Sequence, residues 1–361
     1  MSLVQYQVAS QSTTCYSPPI WLNDSNRFFL EYQLSIQLPS LCFAVSDNIT
    51  LASYRLIGIN GNLTPAWQTL DFHSLAACQY LYALMSCLPP ASHRFSSCIC
   101  PLVHPSNWHS YYYHWVLDVL PRVLSATLFQ STTGSEVTLI VPRLSQPWLL
   151  QSLYCLNADH PISLINISRR ITSISSDHLL MAPGARISAN STFSLSASHI
   201  LPTGLVHPVL VNQLSGLIVN SVHSNNPNLS PSGLPKRVFI SRSDSSYRRI
   251  LNEAEILNLL LPHGFTRIEL SQLDFSTQVS IFDNVEIVIG PHGAGLTNLI
   301  FAKHAFVLEI FASGHGVRPD FYQLANIRKC KYYAILEPSV NSSNDIVVSS
   351  AAVQAFLAQV L

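Results

Sequence analysis

A glycine-containing turn separates two apolar runs in the segment EIVIGPHGAGLTNLIF, at positions 286–301. The first run is typical of a buried strand, and glycine lets backbone amides approach a ligand without interference from a Cβ atom. A helix that began at this turn would offer its first N–H groups and a partial positive charge to an anion. The alternative is that the glycines make only a tight strand-to-helix turn. The candidate anion-binding residues here are His292, Gly293, Ala294, Gly295 and Asn298.

Three arginines follow a predicted strand in the segment RVFISRSDSSYRR. Arg242, Arg248 and Arg249 stand close together in a chain that has only 19 lysines and arginines in all. Guanidinium groups bind phosphate oxygens through two parallel hydrogen bonds. The segment therefore predicts a second part of the anion site. The alternative is a solvated loop whose arginines pair with Asp244 or Glu253.

A histidine and an aspartate lie four positions apart in the segment NWHSYYYHWVLDVLPRV. If this segment is helical, His114 and Asp118 share one face. A carboxylate beside an imidazole orients the ring and raises its basicity, which general-base catalysis requires. Aromatic side chains such as Trp108 and Tyr112 could stack on sugar rings. The alternative is a buried aromatic helix that ends at Pro121 and holds a structural histidine.

Glu309 lies near the end of the predicted strand FVLEI, next to the glycine turn. Its carboxylate could accept hydrogen bonds from the ribose hydroxyls of a nucleotide, or it could hold the loop 315–318. The chain has no D-x-D, no G-x-x-x-x-G-K-[ST] and no H-E-x-x-H, so neither a metal site nor a P-loop is predicted. It has no G-x-S-x-G, which argues against an α/β hydrolase. Cys98 and Cys100 lack a second pair at zinc-finger spacing, which favours buried thiols.

A parallel sheet is the element that can bring such turns to one edge. From position 137 onward, short apolar runs alternate with helical patterns, as they do in βαβ units. The predicted fold class is therefore α/β. Strands are predicted at 137–142, 161–167, 178–183, 237–241, 265–270, 286–289 and 306–310, and helices at 74–88, 147–157, 208–222, 252–261, 277–283, 295–301 and 347–360.

The composition indicates a well-buried globular protein with more than one core. The chain has 361 residues, of which 48% are hydrophobic and 11% charged. Its formal net charge is zero and it has no Lys/Arg run, which argues against a nucleic-acid partner. A polar segment rich in Asn, Ser and Pro predicts a linker. We predict an N-terminal α/β domain at 1–222, a linker at 223–236, a Rossmann-like domain at 237–345 and a helix at 346–361 that could pack back on the N-terminal domain.

Membrane and targeting signals are absent from the sequence. No apolar stretch is long enough to span a bilayer, and the N-terminus lacks the basic start and apolar block of a signal peptide. We therefore predict a protein without a transmembrane anchor, located in the cytoplasm and either free or peripheral to a membrane. The oligomeric state is left open.

Taken in order, the segments YHWVLDVLPRV, RVFISRSDSSYRRILNEAE and QVSIFDNVEIVIGPHGAGLTNLIFA resemble glycosyltransferase family 61. The resemblance covers positions 107–310 and is strongest after position 237. It implies a GT-B-like fold, in which two Rossmann-type domains face each other across a cleft. It also implies inverting transfer of a sugar from a nucleotide-sugar donor, commonly a UDP-sugar, to a glycan or other hydroxyl acceptor.

The same resemblance implies roles for single residues on the donor side. Arg242, Arg248 and the turn 292–295 would hold the diphosphate of the donor, and Asn298 would support that turn. Arginines and a histidine can stabilise a departing diphosphate without a metal ion. We therefore expect neither a divalent metal nor a cofactor, and the nucleotide-sugar is a co-substrate.

On the acceptor side, the resemblance implies that His114 or Asp118 acts as the base. Inverting transfer requires a base that deprotonates the acceptor hydroxyl in the transition state. Without an anchor, the chain is more similar to a bacterial cytoplasmic member that builds a polysaccharide. The alternative is a nucleotide-sugar-binding module that has no transfer activity.

Overall fold

The computed structural model describes residues 4–10, 12–22, 34–38, 41–52, 56–59, 62–63, 93–102, 111–142, 146–157, 162–167, 173–187, 205–227, 229 and 233–361. The chain divides into two compact units. Unit 1 comprises Met1–Ser12, Leu38–Ser194 and Gly204–Leu214, and unit 2 comprises Thr13–Gln37, Leu195–Thr203 and Ser215–Leu361. Unit 2 therefore includes a segment near the N-terminus, which the predicted domains 1–222 and 237–345 do not provide for.

Strands and helices alternate along much of the described chain. The strands are β1 (Val4–Ala9), β2 (Ser12–Tyr16), β3 (Ile20–Trp21), β4 (Leu34–Leu38), β5 (Leu41–Ala52), β6 (Leu56–Ile59), β7 (Asn62–Leu63), β8 (His93–Pro101), β9 (Val137–Pro142), β10 (Ser163–Ile167), β11 (Ser173–Met181), β12 (Arg186–Ile187), β13 (Leu205–Val206), β14 (Arg237–Ile240), β15 (Thr266–Ile268), β16 (Ile287–Pro291), β17 (Phe306–Ala312) and β18 (Lys331–Glu337). The α-helices are α1 (Arg122–Thr133), α2 (Pro147–Asn157), α3 (Pro208–Asn225), α4 (Glu253–Leu260), α5 (Phe275–Asn284), α6 (Asp320–Ile327) and α7 (Ser350–Val360).

Shorter helical segments lie between these elements. Before α1, an α-helical turn at Tyr112–His114 continues as a π-helix at Trp115–Val119. The 3-10 helices are Leu261–His263, Leu270–Gln272, Ala294–Ile300 and Ser313–His315. Three of these, at Leu270–Gln272, Ala294–Ile300 and Ser313–His315, follow strands of the unit 2 sheet and shape the loops at its edge.

Unit 1 contains a mixed sheet in which parallel and antiparallel strands adjoin. Its order is β10-β9-β8-β11-β5-β6-β7, and β1 also pairs with β5. The strands β10, β9, β8 and β11 are parallel, whereas β5 pairs with β11 in the antiparallel sense. β8 has its successor β9 on one side and β11 on the other. The carboxyl ends of β8 and β11 therefore form a topological switch point, where ligands of open α/β sheets bind.

Unit 2 contains a six-stranded sheet in which every pair is parallel, in the order β15-β14-β16-β17-β18-β3. From β14 the chain first goes to β15 on one side and then to β16 on the other side. The carboxyl ends of β14 and β16 are therefore the switch point of this sheet. Arg242 follows β14 and His292 follows β16, so both predicted segments lie at this point.

A hydrophobic core holds the unit 2 sheet and its helices together. The strands contribute Phe239, Ile289 and Leu308, α4 contributes Ile256, and α7 contributes Phe356. Burial of each such side chain stabilises the fold by about 1.5–3 kcal/mol. The buried face of α7 belongs to this core, so the predicted C-terminal helix is part of unit 2.

The predicted α/β class is confirmed: the chain is mixed α/β with parallel sheets. β9 and α2 match the predictions at 137–142 and 147–157, whereas α6 and β18 were not predicted. The predicted helix at 74–88, Trp108 and part of the predicted linker lie outside the described residues.

In the ranges that the structure covers, no helix is both long and apolar enough to cross a bilayer.

Candidate functional site

The carboxyl edge of the unit 2 sheet gathers side chains from three strands. Arg242 follows β14, His292 follows β16, and His315 and Arg318 follow β17. These strands are neighbours in a parallel sheet, so their carboxyl ends lie at one edge. Residues that are far apart in the sequence therefore meet there.

Arg242 lies directly on the backbone of Gly293. A Cβ atom added to Gly293 would stand 2.2 Å from Nη1 and 3.1 Å from Cζ of Arg242. The φ angle of Gly293 is 175°, an extended conformation that any residue adopts, so glycine is required here for space. Arg242 is also held by Ser245, whose Oγ accepts from Nη2 at 2.9 Å. The glycine turn and the first arginine therefore form one structure.

We expect Gly293→Ala to displace the Arg242 guanidinium, since no Cβ atom fits 2.2 Å from Nη1. The family resemblance implies that the site holds a diphosphate, and its affinity for UDP, measured by calorimetry, should then fall roughly tenfold, because one hydrogen bond to a charged group is lost. The folded state should lose little stability, since the end of a flexible side chain can move. Gly216→Ala in α3 is the control, because its Cβ meets nothing within 4 Å. Equal UDP affinity in both variants would contradict a role for Arg242.

Arg242 and Arg248 flank one aromatic ring and repel each other. Their Cζ atoms lie 5.2 and 4.9 Å from the ring centroid of Tyr247, within the range of cation–π contacts. Burial, followed by Arg242 and more weakly Arg318, lowers the pKa of Arg248. The Nε atoms of Arg242 and Arg248 are buried without a hydrogen-bond partner, and no acidic side chain within the described ranges forms an ion pair with either arginine. Half-buried, mutually repelling cations without acidic partners form a site for an anion.

The glutamate that could have neutralised these arginines pairs elsewhere. Nε of Arg267 donates to Oε1 of Glu253 at 2.6 Å, and Nη2 donates to Oε1 of Glu269 at 2.7 Å. Glu253 is therefore not the partner of Arg242 or Arg248. The structure favours an anion site over a loop in which these arginines pair with Glu253.

Arg249 stabilises the loop that carries Arg248. Arg248 has a left-handed backbone with φ 57°, which costs energy in a residue other than glycine, and its N–H donates to the carbonyl of Ser343 at 2.9 Å. Nη2 and the backbone N–H of Arg249 donate to buried Asp345 at 2.7 and 2.8 Å. This pairing holds the pKa of Asp345 well below its ordinary value. The structure thus brings Arg248, but not Arg249, into contact with Tyr247.

His292 is buried in the unit 2 site and bonded to Glu309. Its Nδ1 lies 2.5 Å from Oε1 of Glu309, whose Oε2 accepts from Oη of Tyr332 at 2.5 Å. The His292 ring stacks on Phe311 with centroids 5.2 Å apart. Burial, followed by Arg248, lowers the pKa of His292 to about 3, and burial raises the pKa of Glu309 well above its ordinary value. Glu309 is fully buried and engaged on both oxygens, so we assign it to His292 and not to the predicted ribose contact.

Asn298 braces the glycine turn from inside. Its Nδ2 donates to the carbonyl of Gly295 at 3.2 Å and to Oε1 of Gln278 at 3.0 Å. Gln278 in turn donates to the carbonyl of Leu270 at 2.9 Å. Ala294 is exposed at the start of a 3-10 helix of 7 residues. The α-helix predicted at this turn is thus replaced by a short 3-10 helix, whose dipole is weaker, and the arginines supply most of the positive charge.

In unit 1 the histidine–aspartate pair is joined by an arginine. Nδ1 of His114 lies 2.7 Å from Oδ2 of Asp118. Arg186 donates from Nε to Oδ1 of Asp118 at 2.9 Å and from Nη2 to Oδ2 at 2.7 Å. Asp118 is fully buried, whereas the side chain of His114 keeps 18% of its exposure. Because Nδ1 is engaged by Asp118, Nε2 of His114 is the ring nitrogen that would take a proton.

The backbone around Asp118 departs from a regular α-helix. Asp118 lies in the π-helix Trp115–Val119, a conformation that occurs frequently at functional sites. Gly184 packs against it so closely that a Cβ atom would stand 2.7 Å from the carbonyl oxygen of Asp118. His114 follows β8 and Arg186 follows β11, so the cluster lies at the switch point of the unit 1 sheet.

Arg186, His315 and Arg318 are site residues that were not predicted from the sequence. Each follows an apolar strand run by only a few positions, in MAPGAR and FASGHGVR. The same signal led to Arg242. What was missing was the strand order, which decides which strand ends are neighbours.

The two cysteines of the C-x-C are buried free thiols, as predicted. Burial raises the pKa of Cys98 and of Cys100 to about 12, so neither is a reactive thiolate near neutral pH. Across the described segments, no group of three or more His, Cys, Asp or Glu side chains could hold a metal ion.

Comparison with known proteins gives one family. A family model described as Glycosyltransferase 61 matches residues 112–308, which is more than half of the chain. EGF domain-specific O-linked N-acetylglucosamine transferase of Bos taurus is 34% identical over 108 residues, which are 28% of this chain and 20% of that protein. The protein of the same description from Drosophila melanogaster is 35% identical over 99 residues, 26% of this chain and 18% of that protein. The chain thus spans 20% or less of the length of these curated relatives.

Among solved structures, the glycosyl transferase family 9 from Veillonella parvula DSM 2008 is similar at 8% sequence identity, with a TM-score of 0.31. The match covers 71% of this chain and 89% of that chain.

Proposed function

Because the chain belongs to glycosyltransferase family 61, we propose that it transfers a sugar from a nucleotide-sugar, most simply a UDP-sugar, to a hydroxyl acceptor with inversion. The family match confirms the resemblance that the sequence predicted. The observation that carries the proposal is the pair of half-buried arginines, Arg242 and Arg248, at the switch point of a parallel sheet.

The donor is assigned to unit 2. A departing nucleoside diphosphate carries negative charge on oxygens that guanidinium groups bind bidentately. Arg242 and Arg248 supply positive charge, and neutral His292 can add a hydrogen bond. Stabilising the developing charge with such fixed donors lowers the barrier to transfer. The proposal therefore needs no divalent metal ion.

Deprotonation of the acceptor is assigned to His114 in unit 1. As the acceptor oxygen bonds to the anomeric carbon, Nε2 of His114 takes its proton. The bond from that carbon to the phosphate oxygen breaks, and the diphosphate leaves with the electron pair. One displacement inverts the anomeric centre. Asp118 is fully buried, so we propose that it orients His114 and is not itself the base.

The acceptor is defined only by class. The relatives are named for EGF domains, but the match covers 20% or less of their length. We therefore propose a hydroxyl group on a glycan or another molecule, with polysaccharide biosynthesis as the setting. A cytoplasmic location remains part of this proposal.

A second function, nucleotide-sugar binding without transfer, is favoured by one observation. Arg186 makes two hydrogen bonds to Asp118, at 2.9 and 2.7 Å. Its positive charge neutralises that of the Asp118 carboxylate, as in an ion pair whose role is structural. A protein that kept the donor site and used this cluster only for structure would bind the nucleotide without turnover.

Thermal shift with nucleotides tests the proposal. UDP-sugars, GDP-sugars, CMP-sugars and UDP are added separately, each once with Mn²⁺ and once with EDTA. We expect UDP and UDP-sugars to raise the melting temperature, by the same amount with Mn²⁺ as with EDTA. Ligand at about 100 times its Kd adds about 2.7 kcal/mol of stability. Release of UDP from a UDP-sugar in the presence of an acceptor then separates a transferase from a binding module. A protein that responds to none of the nucleotides would overturn the donor assignment.

A further inference from the structure

Hydrogen bonds join Tyr332, Glu309 and His292 in a buried chain, and the positive charges of Arg242, Arg248 and Arg318 act on its His292 end. Oη of Tyr332 donates to Oε2 of Glu309, and Oε1 of Glu309 lies 2.5 Å from Nδ1 of His292. Nε2 of His292 has no hydrogen-bond partner in the part of the chain that the structure describes. The ring therefore has one nitrogen committed to Glu309 and the other available to a ligand.

We propose that Glu309 and Tyr332 are positioning residues that fix His292 as the tautomer with its proton on Nε2. In this form the N–H of His292 donates a hydrogen bond to the diphosphate of the donor. The inference rests on the proposed function, since the diphosphate is the group that this N–H meets. Glu309 and Tyr332 act through His292 and do not contact the ligand.

Burial and the surrounding charge decide where the shared proton lies. Burial raises the pKa of Glu309 well above its ordinary value, while burial and Arg248 lower the pKa of His292 to about 3. Both shifts, together with the short contact between Oε1 and Nδ1, favour the arrangement in which the shared proton lies on the carboxyl group and its O–H donates to Nδ1. A neutral imidazole that accepts at Nδ1 carries its own proton on Nε2. The charged groups facing this pair are Arg242, Arg248, Arg318 and Asp320.

The carboxylic acid is needed because the arginines favour the opposite tautomer. The positive charge of Arg242, Arg248 and Arg318 lowers the pKa of His292, because these cations attract the lone pair of an imidazole nitrogen and repel an imidazole N–H. Without Glu309, a neutral imidazole would direct the lone pair of Nε2 toward these cations. A diphosphate would then meet an acceptor instead of a donor. The O–H of Glu309 reverses this preference, because it requires the lone pair of Nδ1.

Nuclear magnetic resonance of protein labelled with ¹⁵N-histidine tests the tautomer directly. The signals of His292 are identified by their loss in His292→Gln. We expect a protonated Nε2 and an unprotonated Nδ1 at pH 7.5, and no titration between pH 8 and pH 5, because the pKa is about 3. A proton on Nδ1, or a titration near pH 6.5, would overturn the proposal.

Two substitutions of Glu309 test its effect on binding. In Glu309→Gln the amide can donate to Nδ1 and accept from Tyr332, so UDP affinity should stay within about threefold of wild type. Glu309→Leu fills the space without a donor, and the affinity should fall roughly ten- to a hundredfold. The control is Glu337→Leu, a buried glutamate at the end of β18 that accepts from the backbone N–H of Ser349. This variant should bind UDP as wild type does.

The outcomes separate the inference from the function on which it rests. Calorimetry with UDP is run on wild type and the three variants, and the melting temperature of each shows that it is folded. Wild type that binds no nucleoside diphosphate overturns the proposed function and the inference with it. Wild type that binds, with Glu309→Leu binding equally well, overturns the inference alone. Loss in Glu309→Leu with recovery in Glu309→Gln supports it, and the ¹⁵N spectrum of a variant that fails to bind shows whether the tautomer has changed.

Discussion

Replacing His114 with glutamine is expected to lower sugar transfer about a hundred- to ten-thousandfold, the range for loss of a general base. The ring is bonded to Asp118 through Nδ1 at 2.7 Å and is partly exposed, as a base that meets a substrate must be. UDP affinity should not change, because the residues assigned to the donor belong to unit 2. The measurement is kcat for release of UDP from the donor, together with the Kd of UDP.

Asp118→Asn tests whether Asp118 orients His114, separately from the deprotonation of the acceptor by His114. Turnover should fall because asparagine cannot hold the His114 tautomer as a carboxylate does. The free energy of unfolding should also fall, by about 3 kcal/mol, since Arg186 loses its partner. Arg186 keeps 16% of its side-chain exposure, which places the loss at the low end for a broken buried pair. The control is His178→Gln, an exposed histidine on β11 of the same unit. Unaltered turnover in both His114→Gln and Asp118→Asn would remove this cluster from the mechanism.

Arg248→Ala is expected to weaken UDP binding roughly ten- to a hundredfold, the loss expected for charge-assisted hydrogen bonds. Arg242→Ala should behave similarly. The double variant should lose less than the sum of the two, because both arginines contact Tyr247 and share one ligand. Kd values from calorimetry at fixed ionic strength measure these losses, since salt screens them.

Arg248→Ala should not destabilise the protein when no ligand is bound. Burial, Arg242 and Arg318 all lower the pKa of Arg248, so removing its charge relieves repulsion. The free energy of unfolding should stay constant or rise by up to about 1 kcal/mol. Arg237→Ala, at the opposite end of β14, removes the same charge and should leave UDP affinity intact. If it weakens binding as much as Arg248→Ala does, general electrostatics and not a defined site would explain the result.

The local pattern of the sequence predicted most of the parallel-sheet elements. The runs VTLIVP and PWLLQSLYCLN match β9 and α2 because strand and helix periodicities depend on neighbours within a few positions. The glycine turn and Arg242 were found for a similar reason, since both follow an apolar run directly. Asn298 was placed at the turn by its spacing from the glycines.

The spacing of apolar residues did not predict the type of helix at the glycine turn or around Asp118. The segment after Pro291 forms a 3-10 helix and the segment around Asp118 forms a π-helix, although both sequences fit an α-helix. Side-chain packing selects between these forms, which differ little in local energy. At Asp118 the close approach of Gly184, which lies far along the chain, accompanies the π-helix.

The sequence by itself determined the fold class, the family and the residue types that could bind an anion or move a proton. The tertiary structure alone decided which of them act together. Arg186 meets His114 and Asp118 because β8 and β11 are neighbours, and Arg248, not Arg249, joins Arg242 beside Tyr247. The tertiary structure also showed that Glu309, which the sequence suggested as a ligand contact, is the buried partner of His292. These outcomes depend on strand order and burial, which arise from contacts between distant segments and leave no mark on local spacing.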